Sequence, residues 1–263
     1  MKVVSCVIDF TETSKIAATY AIWLAKQYNA SINLVHFTAI PGSHNDLEEK
    51  LVAHTEIESS GIAHTFSIGS GNYLRTIPEM LLESEADVVV MGSEGTQNAP
   101  QILTSANVVR LVQVVPIPAL VVQRNSPVPV RPIHDILFPM APHSNFAIKI
   151  EESARWAKMH NAHIDILCLV ASGHDLPADI KNNLDEAGDY FSRENVNYSQ
   201  TFRDSKVYGV GYAKDILRYA EDKPFDLIVV MSQNSAENMY FGNVEKTNLI
   251  QNDLGIPVLC INS

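Results

Sequence analysis

The chain has 263 residues, 46% of them hydrophobic, and a formal charge of −11, so it can bury one large core or two of ordinary size. That acidic balance argues against nucleic acid and anionic membrane as partners, since both are held mainly through Lys and Arg, although backbone amides can still hold a small anion locally. No apolar run reaches membrane-spanning length, and the opening "MKVVSCVIDF" enters strand-like sequence without signal-peptide organisation, so the expected compartment is the cytoplasm.

In chain order, a strand is expected at 3–9 and a helix over about 13–28, where Ile16, Tyr20, Trp23 and Leu24 share one face. A strand at 31–37 and the loop "PGSHND" precede a helix over about 46–59. Strand 63–68 then leads through "GSGN" to a helix over about 72–84 carrying Leu74, Ile77 and Leu81. Pro78 there is tolerated only near the helix start. Strand 87–91, a loop holding Gly92 and Gly95, a helix over about 102–113 and strand 118–123 complete this half.

The order then repeats. "YAIWLAKQYNASINLVHF" (20–37) matches "ESARWAKMHNAHIDILCL" (152–169), with Ala30 opposite Ala162; "DVVVMGSEG" matches "DLIVVMSQNS", and "IPALVV" matches "IPVLCI". Three matches in one order indicate an internal duplication. The alternating prolines of "QRNSPVPVRP" (123–132) mark a linker between domains at 1–125 and 132–263. Helices alternating with continuous Val/Ile/Leu strands predict α/β architecture: two tandem doubly wound parallel-sheet sandwiches of Rossmann-like type. Ligands bind such sheets at the carboxyl ends of the strands, where the strand order reverses.

Asp9 ends the first strand, Gly92 and Gly95 follow the fourth, and Ser105 stands ten positions beyond Gly95. Glycines let backbone amides approach an anion, and a following helix adds its positive end. A carboxylate repels phosphate and instead accepts hydrogen bonds from an adenine or ribose. Two other roles stay open: Asp9 as the cap of the following helix, and the glycines as a tight turn leaving the sheet. No Walker lysine follows any glycine run, so binding is expected to dominate over catalysis, with slow ATP hydrolysis the most that could occur. Cys6, Cys168 and Cys260 read as buried reduced thiols, and the nine histidines show no zinc-like spacing.

Asp9, "LAK" (24–26), "LVH" (34–36), "MGSEG" (91–95) and "PIP" (116–118) together resemble the universal stress proteins, and the duplication resembles their tandem-domain members. The resemblance implies an ATP-binding fold that usually dimerises. It implies that Asp9 contacts adenosine while Gly92, Gly95 and the hydroxyl of Ser105 hold the phosphates; ATP, with Mg, is the expected cofactor, the metal offsetting the charge of Glu94. The two halves would then form an intramolecular pseudo-dimer. The chain departs from the pattern in three places. Ser105-Ala106 stands where Gly-Ser or Gly-Thr is expected, Glu94 brings a negative charge into the loop, and the second half has Ala141 opposite Asp9 and "SQNS" (232–235) opposite the glycine loop. Two functions follow: a nucleotide-responsive stress-response module with its site in the first domain, or a tandem scaffold for a protein partner or another small ligand.

Overall fold

The computed structural model describes residues 1–38, 44–93, 105–141, 145–171, 173–205, 212–233 and 243–262. The chain divides into two compact units, Met1–Val130 and Arg131–Ile261. The first contains β1 (Val3–Ile8), α1 (Glu12–Tyr28), β2 (Ser31–Thr38), α2 (His44–Thr55), α3 (Ile57–Ser60), β3 (His64–Ser70), α4 (Tyr73–Glu83), β4 (Val88–Ser93), α5 (Ser105–Val112) and β5 (Ala119–Gln123). Its strands lie in the order β3-β2-β1-β4-β5, all parallel. The reversal falls between β1 and β4. Right-handed crossovers put α1, α2 and α3 on one face and α4 and α5 on the other. Accordingly α1 touches α2 and α3, and the Tyr73 hydroxyl of α4 donates to Asn107 of α5 at 3.0 Å.

The second unit repeats the plan with β6 (Asp135–Pro139), α6 (Phe146–His160), β7 (His163–Ala171), α7 (Ala178–Arg193), β8 (Tyr198–Ser205), α8 (Tyr212–Glu221), β9 (Leu227–Met231), α9 (Asn243–Ile250) and β10 (Val258–Ile261). Its order is β8-β7-β6-β9-β10, again parallel. The duplicated Asn-Ala pair has a physical reason. Asn29 and Asn161 end α1 and α6 in left-handed conformation, with φ of 51° and 55°, which Asn tolerates better than most residues. Ala30 and Ala162, both buried, then enter the next strand.

A second duplicated feature lies inside the strands. Asn33 of β2 donates to the Ser5 hydroxyl at 3.3 Å and accepts from Thr65 and Ser67 at 3.2 and 3.1 Å. Its counterpart Asp165 in β7 accepts from Thr201 at 2.9 Å, the Tyr219 hydroxyl at 2.6 Å and Lys223 at 2.6 Å. Each unit thus satisfies one buried polar side chain in the middle strands through its own neighbours.

Two boundaries and the place of Pro78 differ from the sequence reading. The helix expected over 46–59 breaks at Glu56, whose φ is 55°, and the Glu56 carboxylate is 2.7 Å from Lys15 of α1. Pro78 sits at the sixth position of α4, whose cap is Asn72 accepting from the Leu74 amide; the ring removes one internal hydrogen bond without ending the helix. The fourth strand continues through Gly92 to Ser93. The three cysteines are free and buried, and burial pushes the thiols of Cys168 and Cys260 up to about 12. No described helix is long and apolar enough to cross a membrane.

Candidate functional site

Asp9 and Gly92 come together at the carboxyl ends of adjacent strands. β1 and β4 run in register with Val7 opposite Met91, so continuing the ladder sets Asp9 level with Ser93 at the point where strand order reverses. Gly95 and Glu94 lie outside the described residues. Ser105 is the first residue of α5, and its side chain also lies outside the description.

Asp9 is tied to the start of α1. One carboxylate oxygen, Oδ1, accepts from the Thr11 amide at 3.2 Å and the Thr11 hydroxyl at 2.7 Å. Thr11, not Asp9, is the helix cap: its hydroxyl accepts from the Ser14 amide at 3.1 Å. Asp9 therefore steadies the cap from behind, while Oδ2 has no hydrogen bond among the described residues. Between them Phe10 takes a left-handed φ of 63°, a costly conformation for a bulky side chain. The residue is 37% exposed, and its ring packs on His36 and His54, with ring centroids 4.8 and 5.5 Å away.

The two histidines, on separate elements in the sequence, are thus brought to one place. His36 at the end of β2 bonds through Nδ1 to the Ile8 carbonyl at 2.7 Å. His54 of α2 bonds through Nε2 to the Ser14 hydroxyl at 3.1 Å, and burial holds it below its usual pKa against the opposing pull of the Thr11 carbonyl. Both are positioning residues for the β1–α1 turn. Among the described residues no group of three His, Cys, Asp or Glu side chains could hold a metal ion.

Gly92 is extended and paired with Val122 of β5, not in a positive-φ turn, and its reason for being glycine is different. A Cβ there would lie 2.6 Å from the Thr13 carbonyl oxygen and 2.8 Å from Thr13 Cγ2. The first turn of α1 rests directly on the strand. The small residues Ala17, Ala18, Ala21 and Ala25 of α1 are all buried, which allows the same close approach along the rest of the helix. Ser93, the next residue, is only 4% exposed, and its Oγ is buried with no hydrogen-bond partner among the described residues.

The matching place in the second unit is built differently. Ala141 replaces Asp9, and two lysines are buried nearby. Lys149 of α6 donates to the Pro139 carbonyl at 2.6 Å and lies 4.1 Å from the centre of the Phe138 ring; burial pulls it down to about 7. Lys246 of α9 donates to the Ser232 carbonyl at 2.8 Å and is pulled down to about 8, again mainly by burial. The Ser232 hydroxyl donates to the Ile261 carbonyl at 3.0 Å. Each of these lysines thus donates to a carbonyl at a strand end of this unit.

The family model described as the universal stress protein family matches residues 1–123. No curated protein matches the chain. A universal stress protein from Archaeoglobus fulgidus DSM 4304 is 16% identical with a TM-score of 0.65, the match covering 99% of this chain and 96% of that one. A functionally unknown protein from Pseudomonas aeruginosa PAO1 is also 16% identical, with a TM-score of 0.64 and coverage of 100% and 92%. At these identities the structures share the fold, and the likeness extends across both units.

Proposed function

We propose that the chain, whose residues 1–123 match the universal stress protein family, is a stress-response module that senses an adenine nucleotide, with one site in the first unit and ATP with magnesium as its ligand. The observation that carries this reading is Asp9, held at the switch point by Thr11 through one oxygen while the other has no hydrogen bond among the described residues. A carboxylate so placed suits the hydroxyls and amines of adenosine, and the carboxyl end of β4 beside it is where such sheets hold ligands. The second unit, with Ala141 and two buried lysines in the corresponding places, serves as the structural mate.

Asp9→Asn tests the placement without disturbing the cap, because the amide oxygen still accepts from Thr11. The variant is expected to melt within a few degrees of the native protein and to bind ATP about tenfold more weakly, the worth of one hydrogen bond to a charged group. Native-like affinity in a titration would place the ligand elsewhere.

A second reading is a tandem that binds no ATP and holds a protein partner or another small ligand. The close packing of Gly92 on Thr13 favours it, since that contact already accounts for a glycine at this position.

A further inference from the structure

We propose that the cleft between α8 and α9 of the second unit binds a small zwitterion, a free di- or tripeptide, with its carboxylate at Lys214 and Arg218 and its ammonium at Glu221 and Asp253. The cleft has a volume of about 640 Å³ and is lined along α8 by Lys214, Leu217, Arg218 and Glu221. The end of α9 and the turn after it supply the opposite wall, which includes Gln251, Asp253 and Leu254.

The charges are sorted along the cleft. α8 and α9 pack side by side in the same sense, joined near their starts where the Ala213 amide donates to Glu245 at 2.7 Å. Lys214 and Arg218 stand toward the helix starts. Glu221 and Asp253 stand at the helix ends, where the last carbonyls carry the negative end of each dipole. Seven positions separate Lys214 from Glu221, about 10 Å along the helix axis, which is the span of two to three extended residues. A peptide laid in the cleft therefore meets cations at its carboxylate, and acidic side chains with helix carbonyls at its ammonium. Leu217 and Leu254 give its middle an apolar wall.

The fold itself leaves these groups unsatisfied. Lys214 and Arg218 are like charges four apart on one helix, an arrangement that costs stability unless an anion lies between them. The side chains of Lys214 and Glu221 make no hydrogen bond or ion pair among the described residues, and Arg218 reaches Asp215 only at 3.6 Å. Gln251 has its Nε2 buried with no partner among the described residues. The first unit supplies an internal control. The same offset separates Asp87 from Asp226 and Ile117 from Ile256, so Arg75 and Glu79 correspond to Lys214 and Arg218. By the same count Leu82, Val109, Val112 and Val114 correspond to Glu221, Asn248, Gln251 and Asp253. In the first unit Arg75 is paired with Glu79 at 2.8 Å, and the other four places are apolar. The second unit thus puts two cations where the first has an ion pair, and four polar residues where the first has four apolar ones.

Trialanine titrated into the full chain and followed by NMR chemical shifts tests the site, beside N-acetyl-trialanine, which lacks the ammonium, and trialanine amide, which lacks the carboxylate. The native chain should bind trialanine saturably, and each blocked peptide about tenfold more weakly, the worth of one hydrogen bond to a charged group. Lys214→Gln and Glu221→Gln, both at exposed helix positions, should weaken trialanine by about the same factor. Lys214→Gln should leave the ligand-free melting point unchanged or higher, because it removes the like-charge pair. Arg75→Gln in the first unit should bind as the native chain does. No saturation at millimolar trialanine, equal binding of the three peptides, or native affinity in both cleft variants would overturn the proposal.

Discussion

Gly92→Ala is expected to destabilise the protein by about 2–4 kcal/mol, at or beyond the upper end of ordinary overpacking. The added Cβ would meet the Thr13 carbonyl oxygen at 2.6 Å and carbonyl carbon at 2.7 Å, and backbone cannot swing aside as a side-chain tip can. Relief requires the first turn of α1 to lift from β4. That movement strains the cap at Thr11 and exposes the buried alanines that hold the helix down. Urea denaturation of the ligand-free protein measures the effect directly. An unchanged midpoint would show that α1 can move away freely, and the close packing would then explain nothing about the glycine.

Asp165→Ala is the second large effect, with an expected loss of about 3 kcal/mol. The substitution leaves Tyr219 and Thr201 without their shared acceptor, and Lys223, which is half exposed, turns to water. Asp165→Asn should lose less, because the amide oxygen still accepts and Asn33 performs the same task in the first unit. The charge also sets a pH dependence. Burial alone would raise the Asp165 pKa, but the bonds from Lys223, Tyr219 and Thr201 outweigh it and hold the carboxyl below its usual value. The folded state therefore binds its proton less readily than the unfolded state. The stabilisation is complete above the unfolded carboxylate pKa of about 3.9 and fades as pH falls through the lower folded value. Acid unfolding curves should show this slope in the native protein and lose that contribution in Asp165→Asn; identical slopes would contradict the assignment.

The fold was legible because its signals are local. Continuous apolar strands, helices capped by Asn-Ala, and three matched segments in one order specify the duplicated α/β plan before any tertiary contact is known. The boundaries that moved did so for reasons the local pattern does not carry. The break at Glu56 lies inside an otherwise helical run and pairs with Lys15 in another helix. Asp9 stood out as a candidate site residue and as a possible cap, but Thr11 as the actual cap did not, since both residue types cap well. Gly92 stood out as a necessary glycine, but a tight turn is not the reason, since it lies inside β4; the atom that excludes a side chain belongs to Thr13, 79 residues earlier in the chain. Ser93, Lys149 and Lys246 gave no signal. A serine inside an apolar strand reads as filler, and a lysine on an amphipathic helix reads as surface until its neighbours are known. The structural roles of Gly95 and the Ser105 hydroxyl lie outside the described residues.

The two units therefore differ where function would be decided. Among the described residues, the first has the Asp9 carboxylate with one oxygen outside any hydrogen bond, at the level of the buried Ser93. The second has Ala141 in place of that carboxylate, and Lys149 and Lys246 donate to carbonyls at its strand ends. The most direct measurement is isothermal titration of the metal-free protein with ATP, with and without magnesium. The account predicts saturation at one ATP per chain, the single site being that of the first unit. Two sites per chain would contradict the asymmetry, and no heat at millimolar ATP would contradict the nucleotide site itself.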